Sequence, residues 1–123
     1  MKTTAALFVT SLWMVAAGPA LAHHAEPLYD LKNPATMKGV VGKVEWQNPH
    51  VYLHVIVKND PVKAEDWTLE LTSPNALKRY GWTPSTIKAG DSIVCTGGRA
   101  RSGAKVMRCV TVELPDGKKL RTF

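Results

Sequence analysis

The sequence predicts a mainly β domain, a small barrel of the OB type with five or six strands and one short helix. Apolar and polar residues alternate along several short segments, and turn-forming residues separate these segments. A single helical segment falls between the third and fourth predicted strands. A helix at that place in the strand order is typical of OB-type barrels. A sandwich of two packed sheets is the main alternative.

The first strand is predicted over 37–46. Val40, Val44 and Trp46 fall on one face of this segment. The next three residues, 47–49, are Gln-Asn-Pro and predict a turn, because proline cannot donate a hydrogen bond to a strand ladder.

The second strand, over 50–57, has the clearest alternating pattern in the chain. One face is apolar and carries Val51, Leu53, Val55 and Val57. The opposite face carries His50, Tyr52, His54 and Ile56. A third strand follows a polar loop, and in it Trp67, Leu69 and Leu71 alternate with polar residues.

A short helix is predicted to begin at Ser73-Pro74-Asn75, since serine is a good N-cap and proline suits the first helical turn. Gly81 is predicted to end it. The fourth and fifth strands are expected over 92–97 and 105–113. A short sixth strand is expected over 118–123, after a Leu-Pro-Asp-Gly turn.

The N-terminus has the features of a cleavable export signal. Lys2 supplies the positive start, an uncharged and mostly apolar stretch follows, and Ala20-Leu21-Ala22 fits the small-x-small cleavage rule. The apolar stretch is short for a membrane span. We therefore expect a signal peptide over 1–22, an arm over 23–36 and a single barrel domain over 37–123. The mature protein is then periplasmic or secreted and has no transmembrane segment.

The chain contains two cysteines, Cys95 and Cys109. An even number of cysteines in an exported protein indicates a disulfide. A turn at Ser102-Gly103 centres a hairpin near position 102, and the two cysteines lie symmetrically about that position. We therefore expect them to face each other across the fourth and fifth strands and to form a structural bridge.

The charge is mildly basic. Sixteen basic and ten acidic residues give a net charge of +6, and loss of the signal with Lys2 leaves +5. Several basic residues gather on the C-terminal strands. These residues form either a solvated sheet edge or a binding patch for an anion or a partner protein. The candidate patch consists of Arg99, Arg101, Lys105 and Arg108. The exported location argues against a nucleic-acid partner.

All four histidines lie after the predicted cleavage point. Cleavage before His23 leaves an α-amine and an imidazole on one residue, and such a pair chelates a transition metal. His50 and His54 share a strand face but lie about 13 Å apart at roughly 3.3 Å per residue, too far to hold one ion together. Nitrogen ligands in a flat arrangement favour copper(II) or nickel(II).

We predict a metal site, with copper first, formed by His23, His24 and His50. Further candidate ligands are His54, Glu45 and Glu70. Each histidine also has a purely structural interpretation. In that interpretation His23 and His24 are a polar terminus. The ring of His50 forms a hydrogen bond with the backbone of the preceding turn, and His54 faces the solvent.

No nucleophile motif, Gly-rich phosphate loop or HExxH motif occurs in the chain. The sequence therefore predicts a binding protein rather than an enzyme. Its expected partner is an exported redox or envelope protein. The alternative is a metal-free module that docks a protein or an anionic ligand on its basic C-terminal strands.

Five sequence blocks carry a family resemblance. They are Ala22-His23-His24, Val44 to His50, Ser73-Pro74-Asn75-Ala76-Leu77, Gly81-Trp82, and Leu114 to Lys118. With these blocks the chain resembles a family of small exported bacterial proteins of unknown function, over essentially the whole mature chain. The resemblance implies a β-rich single domain with no assigned activity. It also implies that the family pattern includes His23, His24 and His50 but not His54, and that only some members have the cysteine pair.

Overall fold

The computed structural model describes residues 28–123. The predicted signal and the two N-terminal histidines, His23 and His24, lie outside the described residues. The elements are β1 (Ala35–Glu45), β2 (Tyr52–Lys58), β3 (Ala64–Glu70), α1 (Pro74–Arg79), β4 (Ser92–Arg99), β5 (Val106–Glu113) and β6 (Lys119–Arg121).

The six strands form one sheet in the order β3-β2-β1-β4-β5-β6. All neighbouring strands in this order are antiparallel, and a parallel pairing between β3 and β5 closes the first five into a barrel. β6 adds to β5 as an extra strand. The predicted OB-like barrel, with its helix between the third and fourth strands, is confirmed. The two-sheet alternative is wrong, because a single sheet closes on itself.

The core lies inside the barrel and is built by alternate residues of the strands. Val51, Leu53, Val55 and Val57 are all buried, so the predicted inward face of β2 is confirmed. Leu69 and Leu71 are buried with them, and Trp67 is partly buried and packs against the core. The other face of β2 points outward and carries Tyr52, His54, Ile56 and Lys58.

A bulge in β1 overturns one part of the prediction. Val40 and Val44 were expected to share a face, yet Val40 is 45% exposed and its neighbour Val41 is 1% exposed. The register with β2 shifts between Val41 and Lys43, which leaves Gly42 as the extra residue. One extra residue reverses the faces of all positions on one side of it.

The helix begins and ends where the sequence predicts. The Ser73 hydroxyl accepts a hydrogen bond from a first-turn amide, Pro74 is the first helical residue, and Gly81 follows the helix with φ of +88°. The buried indole of Trp82 donates a 2.8 Å hydrogen bond to the carbonyl oxygen of Arg121. This bond ties the end of the helix to β6.

The described part of the N-terminal arm packs on the barrel. Tyr29 forms an isolated bridge with Ala100, and the Asp30 amide donates a 2.9 Å hydrogen bond to the Arg99 carbonyl. The arm crosses close to Gly98, where an added Cβ would lie 2.8 Å from the Asp30 carbonyl carbon. A residue without a side chain is therefore needed at this crossing. β1 begins at Ala35, two residues before the predicted boundary.

Cys95 and Cys109 form the expected disulfide, with Cα atoms 5.7 Å apart. The expected direct opposition is wrong. Cys95 pairs with Val112, and Cys109 pairs with Gly97, because the register shifts between residues 96 and 97. The bridge therefore runs diagonally from β4 to β5, and both cysteines are buried.

Candidate functional site

Strand pairing brings the predicted acidic and histidine residues onto the outer face of β1, β2 and β3. Tyr52 on β2 pairs with Glu45 on one side and with Glu70 on the other. Two residues along β2, His54 pairs with Lys43 and Thr68. Because these residues alternate with the buried ones, their side chains stand on the outside of the barrel.

His50 lies just before β2 and is oriented by the backbone. Its Nδ1 is 3.0 Å from the carbonyl oxygen of Leu71. A carbonyl oxygen only accepts, so Nδ1 carries the proton and Nε2 of the neutral ring has the free lone pair. Metal-binding histidines have this arrangement, in which one ring nitrogen donates to a carbonyl and the other binds the ion. The side chain is partly exposed, which leaves the ring accessible.

Glu70 lies between His50 and the N-terminal arm. One carboxylate oxygen, Oε1, is 3.8 Å from Nδ1 of His50, and the other, Oε2, accepts a 2.5 Å hydrogen bond from the Tyr29 hydroxyl. Burial, followed by the hydrogen bond to Glu70 and its charge, raises the pKa of Tyr29 well above the ordinary value. Tyr29 therefore stays a neutral donor, and Glu70 joins the arm to the surroundings of His50.

His54 belongs to a second cluster. Its Nε2 is 3.4 Å from Oε1 of Glu45 without forming a hydrogen bond, and its Nδ1 is 3.4 Å from the Thr68 hydroxyl. The same Glu45 oxygen accepts a 2.5 Å hydrogen bond from Lys43. That bond is the main reason why the pKa of Glu45 is lowered. The Glu45 oxygen nearest to His54 is therefore already bonded to Lys43.

The structure therefore divides the predicted candidate ligands into two groups. His50 lies with Glu70, and His54 lies with Glu45, as expected for two histidines too far apart on one strand to share an ion. Within residues 28–123, no three His, Cys, Asp or Glu side chains come together as a metal cluster. A complete site at His50 would need ligands from the histidine pair that lies outside the described residues.

The basic residues of the C-terminal strands contact four different partners. Arg99 lies over the Trp67 ring at 5.5 Å, and Arg108 lies over the Phe123 ring at 3.7 Å. The Arg101 guanidinium is 3.2 Å from Asp30, and the Lys105 ammonium is 3.2 Å from Glu65. Trp67 in turn donates a 3.2 Å hydrogen bond to Glu65, so the partners of Arg99 and Lys105 are neighbours.

The comparison with known families gives one match. A family model described as a family of unknown function, DUF6152, matches residues 12–108. The chain belongs to this family. No curated protein and no solved structure matches it.

The DUF6152 match extends from before the described residues into β5, so it includes both histidine clusters and the β3–β5 closure. Within the described part of this family member, no helix has the length and apolarity to cross a bilayer.

Sequence reasoning missed Tyr29. The segment around it, with Pro27 and Pro34, has no periodicity that assigns an inward or outward face. A tyrosine in a mostly polar arm is the only signal that the sequence offers. In the DUF6152 structure this residue is buried and forms the contact between the arm and Glu70.

Proposed function

We propose that the protein is an exported binding protein for a transition metal, with copper as the first candidate. The ligands are the α-amine and imidazole of His23, the imidazole of His24, and Nε2 of His50. The observation that carries the proposal is the hydrogen bond from His50 Nδ1 to the Leu71 carbonyl, which leaves Nε2 as the metal-binding nitrogen.

The arm supports the proposal because it is fastened beside His50. Contacts of 2.5 Å from Tyr29 to Glu70 and 3.8 Å from Glu70 to His50 join the three side chains in a row. Residues 23–28 span up to about 20 Å at roughly 3.3–3.6 Å per residue. In this proposal that length lets the first residue of a mature chain beginning at His23 reach the His50 ring.

Glu70 acts in this proposal as an anchor rather than as a ligand. One of its oxygens is used by Tyr29, and the other lies on the protonated Nδ1 side of His50. Its negative charge favours a cation nearby. The expected role of the protein is that of a copper carrier or accessory for an exported redox or envelope protein.

The metal-free alternative has less support from the geometry. A docking patch for an anion needs cations that are available to the ligand, and each of the four basic residues of β4, β5 and the turn between them contacts an aromatic ring or a carboxylate within the chain.

The test compares copper(II) affinity in two single variants of the mature protein, His50→Gln and His54→Gln, by competition calorimetry against a chelator of known affinity. We expect His50→Gln to weaken copper binding at least about tenfold, since loss of a ligand exceeds the loss of a supporting residue. His54→Gln is the matched control and leaves the affinity unchanged. Equal affinities in the two variants would remove His50 from the site.

A further inference from the structure

A second surface feature lies at the far end of β2 from His50. It is an open groove of about 450 Å³ on the outside of the barrel. The residues around it come from β1, β2 and the start of β4, and they are Lys38, Gly39, Val40, Ile56, Lys58 and Ser92. None of them belongs to the proposed copper site.

The groove exists because β1 changes partners along its length. Residues 35–40 of β1 pair with β4, and residues 40–45 pair with β2. β1 and β2 therefore separate beyond Val40, and a gap opens between them.

The lining combines exposed apolar side chains with two lysines. Val40 on β1 and Ile56 on β2 are paired across the two strands and are 45% and 41% exposed, so they form one apolar contact surface. Lys38 and Lys58 stand on the two separating strands, and neither forms an ion pair with any residue of the described range. Two like charges beside one groove repel each other, and a bound anion would relieve that repulsion.

We infer that this groove binds a free fatty acid. The alkyl chain lies on Val40 and Ile56, and the carboxylate lies between the ammonium groups of Lys38 and Lys58. The volume falls within the range of small-molecule sites, which is about 300–1,000 Å³. A second copy of the chain does not suit the groove, because a symmetric contact would bring lysines against lysines.

The surrounding charges also give the ligand a direction. Asp66 pairs with Ile56 and lies on the β3 side of it, away from β1. A carboxylate head is repelled from Asp66 and attracted towards Lys38 and Lys58. The head group therefore lies at the lysine end of the groove.

The experiment titrates the protein with monomeric dodecanoate by calorimetry and repeats the titration with dodecyltrimethylammonium, which has the same alkyl chain and the opposite charge. We expect one dodecanoate site and at least about tenfold weaker binding of the cation, from two charge contacts reversed in sign. Similar affinity for the two amphiphiles would overturn the proposal.

Two variants and two matched controls locate the site. The double variant Lys38→Gln/Lys58→Gln is expected to weaken dodecanoate binding about tenfold. Lys118→Gln, on the turn before β6, is the control for lost charge and has no effect. Ile56→Asn is expected to weaken binding, whereas Val62→Asn, at a position that is 93% exposed outside the groove, is not.

Circular dichroism of each variant checks the fold. Unchanged dodecanoate binding by both Lys38→Gln/Lys58→Gln and Ile56→Asn would overturn the assignment to this groove. Binding to vesicles of anionic phospholipid without binding to monomeric dodecanoate would also overturn it, and would indicate a membrane-facing surface instead.

Discussion

Tyr29 and Glu70 are separated by 41 positions in the chain, and the Tyr29 hydroxyl donates a 2.5 Å hydrogen bond to Oε2 of Glu70. The bond fixes the N-terminal arm to the last residue of β3. Since the second oxygen of Glu70 faces His50, the position of the arm and the surroundings of His50 depend on the same carboxylate.

Loss of the Tyr29 hydroxyl is expected to destabilise the protein. Tyr29→Phe removes the donor and keeps the ring, so the free energy of unfolding falls by about 1.5–3 kcal/mol, the range for a hydrogen bond to a charged group. Urea denaturation at neutral pH measures this difference. Tyr29→Phe with unchanged stability would show that water replaces the hydroxyl at no cost.

The stabilisation by Tyr29 is expected to decrease at high pH. In the unfolded chain the phenol ionises near its ordinary pKa of 10.0, whereas in the fold the pKa of Tyr29 is raised, chiefly by burial and then by Glu70. The folded state therefore keeps a proton that the unfolded state loses, and the contribution is complete below pH 10 and declines above it. The stability difference between the unaltered protein and Tyr29→Phe should be smaller at pH 11 than at pH 8. A difference that stays constant would contradict the raised pKa.

Gly97 is expected to tolerate no side chain. An added Cβ would lie 1.9 Å from the Arg108 carbonyl oxygen, which is backbone and cannot rotate away. Gly97→Ala should cost at least about 3 kcal/mol or prevent folding, because the two strands must separate to relieve the clash. Gly42→Ala is the control, since its Cβ would meet only a backbone oxygen at 3.7 Å. Thermal denaturation of both variants tests this, and equal effects would mean that the β4 register differs from the one described.

The disulfide is expected to contribute about 3 kcal/mol to stability, the chain-entropy value for a loop of this size. Cys95 and Cys109 are 14 positions apart. The double variant Cys95→Ala/Cys109→Ala should therefore unfold at lower denaturant concentration, and the unaltered protein should behave similarly after reduction. No response to reduction, with free thiols detected beforehand, would show that the bridge does not form.

Much of the fold can be predicted from local pattern. The alternation in β2 and the Ser-Pro start of the helix are local signals that agree with the final structure. The bulges at Gly42 and near Gly97 have a weaker signal, because a glycine within a strand often marks a bulge but does not specify which residues pair beyond it. The face of Val40 and the diagonal disulfide depend on these bulges, and so the prediction was wrong at both.

The candidate site was predictable only in part. Strand alternation places His50 and His54 on the outer face, and strand rise separates them. Which carboxylate joins which histidine depends on the pairing of β1 and β3 with β2, which a single sequence does not specify. Tyr29 was missed because the arm has no periodicity and its contact is with a residue 41 positions away.

The central claim is that a freed His23 amine binds copper together with His50. The most direct measurement is the copper(II) affinity of the mature protein beginning at His23, compared with the same protein acetylated at its N-terminus. Acetylation removes the free α-amine and leaves both N-terminal imidazoles and every described contact in place. We predict that the acetylated protein binds copper at least about a hundredfold more weakly, about 2.7 kcal/mol. Equal affinity of the two chains would contradict the claim.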